Sequence, residues 1–141
     1  MINGLTIDLA KTDDELLEIA LLKQANDSEF LGEPISEGLA LEHVIDINYR
    51  GSDFLIAKLG DRIVGYVIGS RIYRGYYIDE LYVIQEGRNN GIGKEIVKKQ
   101  IELAKNRNVE SIRSNVAEDN LPAIRILEVL GFTFEERNGG V

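Results

Sequence analysis

Residues 76–105 read YYIDELYVIQEGRNNGIGKEIVKKQIELAK, and three textures follow one another along them. YYIDELYV is rich in aromatic and β-branched residues, the composition of a strand. At the other end Ile92, Ile96, Val97, Ile101 and Ala104 recur at helical spacing. Between them Gly87, Gly91 and Gly93 supply backbone freedom where the strand turns into the helix. The first N–H groups of such a helix have no internal partner, and with the helix dipole they favour an anion such as a pyrophosphate.

Two familiar phosphate-binding patterns fail on spacing. A dinucleotide-binding fingerprint needs a glycine three residues after Gly93, where Ile96 stands. A P-loop needs a glycine at position 88, which is Arg88, and a serine or threonine after Lys94, which is Glu95. What remains is R-x-x-G-x-G, Arg88 to Gly93, between strand and helix. The same glycines also suit a turn that holds no ligand.

The rest of the chain bounds the answer. Its 141 residues, 44% hydrophobic, suit one domain with a real core, taken as residues 1–141. Without cysteine there is no disulfide, thiolate metal site or cysteine nucleophile. No basic-then-apolar leader or apolar stretch of membrane-spanning length is present, so a cytoplasmic protein is expected. A formal charge of −8 argues against nucleic-acid and anionic-membrane partners. The charge is uneven: residues 1–60 hold 4 basic and 12 acidic side chains, residues 85–113 hold 7 and 4. The basic segment surrounds the glycines.

Periodicity and turn signals set the element order. A strand is expected at 4–10, then a helix near 13–25 capped by Asp13, with Leu16, Leu17, Ala20 and Leu21 on its apolar side. A second helix is expected from a Ser36 cap to Tyr49, with Leu41, Val44, Ile45 and Asn48 on one face. DFLIAKL and RIVGYVIGSRIY pair as a hairpin through Gly60 and Asp61. After the central strand, loop and helix come a strand at 110–116, a helix capped by Asn120 and ended by Gly131, and a last strand, FTFEE. The fold class is α/β (α+β): a mixed, largely antiparallel central sheet flanked by about four helices.

Further on, NLPAIRILEVLGF (120–132) has the spacing N-x-x-A followed by G-F. Together with R-x-x-G-x-G, in this order and context, it resembles the GNAT superfamily of acyl-CoA-dependent N-acyltransferases over residues 76–134. The resemblance implies a GNAT-like fold, acetyl-CoA as co-substrate and an amine as the second substrate. It implies that Arg88, Asn89, Asn90, Gly91, Ile92, Gly93 and Lys94 contact the CoA pyrophosphate, mainly through backbone. Val83 and Ile84 would be the strand end that pairs with pantetheine, the Val83 N–H polarising the thioester carbonyl, worth about 3 kcal/mol. Asn120 would touch the pantetheine arm, and Arg125 the adenine or 3′-phosphate, although a surface arginine fits as well. A homodimer is compatible with the family.

Acyl transfer to an amine makes a demand of its own. A lysine-like amine near pKa 10.4 must give up a proton at pH 7, at about 4.6 kcal/mol. Asp79 and Glu80 interrupt an otherwise apolar strand just before Val83, and strand alternation puts at most one of them on the substrate side. Glu80 is the favoured base. Where relatives place a tyrosine that protonates the departing sulfur, this chain has Leu127; Tyr82, Tyr76 and Tyr77 are the candidate substitutes, and solvent is another. A thiol's pKa near 8.5 makes its thiolate a tolerable leaving group without an acid. His43 has no metal-ligand spacing around it, so no metal is expected. Two functions fit: acetyl transfer to a primary amine, an acidic surface suiting a cationic one, in a ternary complex; or an acyl-CoA-binding sensor without turnover.

Overall fold

Five strands lie side by side in the order β1-β2-β3-β4-β5 in a computed structural model that describes residues 4–31, 37–49, 51–88, 90–116 and 120–133. They are β1 (Leu5–Leu9), β2 (Asp53–Leu59), β3 (Arg62–Ile72), β4 (Gly75–Val83) and β5 (Ser111–Ser114). The helices are α1 (Asp13–Leu31), α2 (Glu37–Tyr49), α3 (Ile92–Lys105) and α4 (Leu121–Val129). Neighbouring strands are antiparallel except β4 and β5, which run parallel. β2 and β3 are buried on both faces, which explains their near-continuous apolar runs. The hairpin between them turns at Gly60, whose φ of +63° few other residues adopt.

Each face of the sheet has its own helices. α1 and α2 pack on each other, and α1 covers β3 and β4 on one face. On the other, α3 buries Ile92, Ile96, Val97 and Ala104 against β2, β3 and β4, with α4 beside it.

Helix α1 differs from expectation at both ends. The helix runs six residues further than expected, and Thr12 rather than Asp13 caps it. Thr12 Oγ1 accepts from the Glu15 N–H, and Glu15 Oε1 accepts from the Thr12 and Lys11 N–H groups, a reciprocal capping box. Lys58 and those N–H groups hold the Glu15 carboxyl down at about 2. The core-facing stripe is the partly buried Leu16 with buried Ile19, Ala20, Lys23 and Asn26, while Leu17 and Leu21 are exposed. Alanine and leucine at i and i+1 both suited the helical period, and only packing selects between them. In α2 likewise Ala40 and Val44 are buried and Ile45 is 54% exposed. The Ser36 cap lies outside the described residues, as do positions 134–136 of the expected last strand; Phe132 and Thr133 are irregular.

A polar clamp ties the end of α3 to the start of β2. Arg107 grips Asp53 with two bonds, 2.6 and 3.0 Å, and the Tyr76 hydroxyl donates to the same carboxylate at 2.8 Å. Burial, then Asp53, pushes the Tyr76 phenol far above its ordinary range. Tyr76 is a core residue on the α3 face, so the expectation that it could serve as a catalytic acid does not hold. Asp53→Ala strands Arg107 and Tyr76. Its expected cost is about 3 kcal/mol, or roughly 10 °C of Tm for a chain of this size, read by thermal denaturation; a shift within 2 °C would contradict the clamp.

Candidate active site

β4 and β5 are paired only from Gly75 to Ile78 on β4. Beyond that point the two strands part, and a cleft of about 180 Å³ opens along the β4 edge. Ile78, Asp79, Glu80 and Leu81 form one wall, and Ser114, Asn115 and Val116 the other. Asn26 of α1 reaches it from one face of the sheet, and Val97 of α3 with Ala123 and Leu127 of α4 from the other. The opening therefore joins the two faces through the sheet. Asn120, which caps α4 by accepting from the Ala123 N–H at 3.4 Å, also lines it.

A bulge in β4 shapes the first wall. Ile68 of β3 opposes Glu80, and Gly69 opposes Ile78, so Asp79 is an extra residue. Strand alternation predicted that Asp79 and Glu80 point to opposite faces, and the bulge cancels it. Asp79 Oδ2 accepts from Ser70 Oγ at 2.7 Å, and Ser70 shares its face with Ile68 and Tyr66 by the period of two. Glu80 accepts there from Tyr66 Oη and, at 2.9 Å, from Lys23 Nζ. Both carboxylates thus lie on the α1 face beside the cleft. Asp79 is exposed and Glu80 half-buried.

At the other end of β4 the Ile84 N–H donates to Val64 at 3.0 Å, so that amide belongs to the sheet. N–H and C=O of one residue point to the same side of a strand, and the next residue's point to the other. The amides of Val83 and Leu81 therefore face away from β3, toward the edge where β5 has departed. The Val83 carbonyl accepts from Arg88 Nε at 2.9 Å, as that direction requires. Arg88 also lies 5.4 Å from the centre of the Tyr82 ring. Its side chain anchors the loop against the strand.

After a single 3-10 turn at Gln85–Gly87 the chain enters α3 through Gly91, φ +81°, with no side-chain cap. The first helical bond runs from the Glu95 N–H to Gly91, which leaves the Ile92, Gly93 and Lys94 N–H groups without a helical partner. Gly93 serves close approach rather than φ. A Cβ there would stand 2.9 Å from Ile126 Cδ1, so glycine lets the tip of that α4 side chain rest against the start of α3. Asn90 and Lys94 are exposed beside these donors, and Asn89 lies outside the described residues.

The remaining expected residues separate. Tyr82 is buried, its ring 6.1 Å from that of Tyr66, and is not part of the cleft wall; neither is Tyr77. Arg125 is exposed on α4, away from the cleft lining. Leu127 is 4% exposed and lines the cleft, so the apolar substitution falls at the site itself. Lys23, Asn26 and Tyr66 were absent from the sequence-based set. Their signal was a polar residue where the apolar stripe of α1, or the apolar run of β3, should continue.

The geometry matches a known architecture over most of the chain. The family model of the acetyltransferase (GNAT) family matches residues 9–132. The chain belongs to the GNAT acetyltransferase family. Among solved structures, a possible acetyltransferase from Clostridium difficile 630 superposes with a TM-score of 0.81 at 19% identity, over 96% of this chain and 95% of that one. The GNAT fold is also that of yncA from Salmonella typhimurium, solved with its cofactor acetyl-CoA, with a TM-score of 0.77 at 17% identity over 93% and 80% of the two chains. The thialysine N-epsilon-acetyltransferase of Mus musculus is 34% identical over 77 residues. That match spans 51% of this chain and 45% of the mouse protein, under half the length of that relative. Among the described residues no helix is long and apolar enough to cross a membrane, and no group of three His, Cys, Asp or Glu is placed to hold a metal ion.

Proposed function

We propose that the chain transfers an acetyl group from acetyl-CoA to a primary amine in a ternary complex. The observation that carries this reading is the gap between β4 and β5, which joins the two faces of the sheet. Helix α3 presents unpaired donors at one end of the gap, and two carboxylates flank the other. The Ile92, Gly93 and Lys94 N–H groups would bind the pyrophosphate, with the dipole of α3 behind them. The Val83 or Leu81 N–H, aimed at the strand edge, would steady the thioester oxygen as charge develops on it. Glu80 would accept the amine's proton, directly or through a water.

Asp79 has a second use. Glu80 already carries the Lys23 ammonium, so Asp79 is the carboxylate with charge to spare for a cationic acceptor. Thialysine is named for the mouse relative, and small lysine-like amines are accordingly the first acceptors to try. Direct attack on the thioester requires no protein nucleophile.

Calorimetric titration with acetyl-CoA, with ATP as the phosphate-bearing control, tests the donor site. Micromolar binding of acetyl-CoA alone is expected; equal affinity for ATP, or none for either, would remove the reading. Position 127 offers a second test. Leu127→Tyr places a phenol in the cleft lining where a departing thiolate could take a proton, and turnover is expected to rise about tenfold. A lower kcat in a variant of unchanged Tm would place the departing sulfur elsewhere.

A further inference from the structure

The core-facing stripe of α1 begins Leu16, Ile19, Ala20 and continues with Lys23 and Asn26. A leucine at 23 would fill the stripe without the desolvation that a buried ammonium costs, since buried ion pairs seldom stabilise a fold beyond what apolar packing achieves. Lys23 is only 8% exposed, and its Nζ lies 2.9 Å from Glu80 Oε1. One turn along, Asn26 Nδ2 donates to Tyr66 Oη at 3.4 Å, and Tyr66 donates to the other oxygen of Glu80. Groups from α1 and β3 therefore converge on one carboxylate of β4. Glu80 and Asn26 line the cleft; Lys23 does not.

We propose that Lys23 is a positioning residue for the transfer: its ammonium holds Glu80 from behind, as an oriented anion whose remaining lone pairs face the cleft. This role rests on the acetyl-transfer reading above. A carboxylate oxygen accepts more than one hydrogen bond, so Lys23 and Tyr66 fix the group without using up its capacity to receive a proton. Lys23 meets neither substrate, so its removal should act on kcat and spare donor affinity. It acts through Glu80, so its effect should vanish once Glu80 is neutral.

The test is a double-mutant cycle on the intact chain, with acetyl-CoA and the best amine of a panel that includes thialysine. Lys23→Met is expected to lower kcat about tenfold or more, with Lys23→Arg recovering most of it, and the double variant with Glu80→Gln should be no slower than Glu80→Gln alone. The acetyl-CoA Kd should stay within about twofold throughout. If Lys23→Met does not fold, Lys23→Gln is read the same way. Wild-type kcat in either variant, or losses that multiply in the double variant, would overturn the role of Lys23 while leaving acetyl transfer in place. No CoA release by the unsubstituted chain with any amine would overturn the transfer reading and this role with it.

Discussion

Gly91→Asp is expected to weaken acetyl-CoA binding about 100-fold while the fold survives. Position 91 has φ +81° and open space around its Cβ, and aspartate tolerates positive φ better than most residues. Its carboxylate would sit at the start of α3 and accept from the N–H groups proposed to bind the pyrophosphate. It would also repel the phosphates. Losing two charge-assisted hydrogen bonds costs about 3 kcal/mol, which is roughly 100-fold in Kd. Gly91→Ala imposes at least as much backbone strain, without the charge, and should bind within about fivefold of the unsubstituted chain. Calorimetry on both variants, with Tm as a check on folding, separates the effects. Equal binding by all three proteins would mean that the glycines of this loop make a turn and nothing more.

Glu80→Gln is expected to lower kcat about 100-fold or more, the usual contribution of a positioned base. Glutamine keeps the size of the side chain and can accept from Tyr66, but it removes the charge that Lys23 holds. In the proposed arrangement the donor binds at the far end of the gap, so the acetyl-CoA Kd should not move. Asp79→Asn should act differently. Asp79 is exposed and bonds Ser70, so its loss should raise KM for a cationic acceptor more than it lowers kcat. The reverse pattern, a silent Glu80→Gln and an inactive Asp79→Asn, would exchange the two roles.

The strand, loop and helix of residues 76–105 were legible because their chemistry is local. Glycines, a helical stripe and an apolar strand sit within 30 residues, and no distant contact is needed to read them. The hairpin at Gly60 and the Asn120 cap followed from similar short-range signals. The bulge at Asp79 was not legible. A single unpaired residue leaves the composition of a strand unchanged, yet it moves one carboxylate to the other face. The stripe of α1 was misread for a related reason. Leu17 and Leu21 satisfy the helical period as well as Ile19 does, and the choice between them depends on where β3 and β4 lie. Lys23 was hidden by the rule that lysines are exposed, which holds until a partner such as Glu80 is brought up from 57 residues away.

Leu127 and the through-sheet gap bear on the same issue, transfer against mere binding. A sensor would need the donor site at α3 and nothing on the α1 face. Under the proposed reading the two carboxylates, with the lysine and tyrosine that bond Glu80 and the asparagine beside them, serve the acceptor. The most direct measurement is release of free CoA thiol by the purified chain given acetyl-CoA and a panel of primary amines that includes thialysine and polyamines. Amine-dependent release, with the acetylated amine recovered in equal amount and Glu80→Gln suppressing both, is the expected result. Tight acetyl-CoA binding with no release above the amine-free rate would contradict acetyl transfer and leave a binding module in its place.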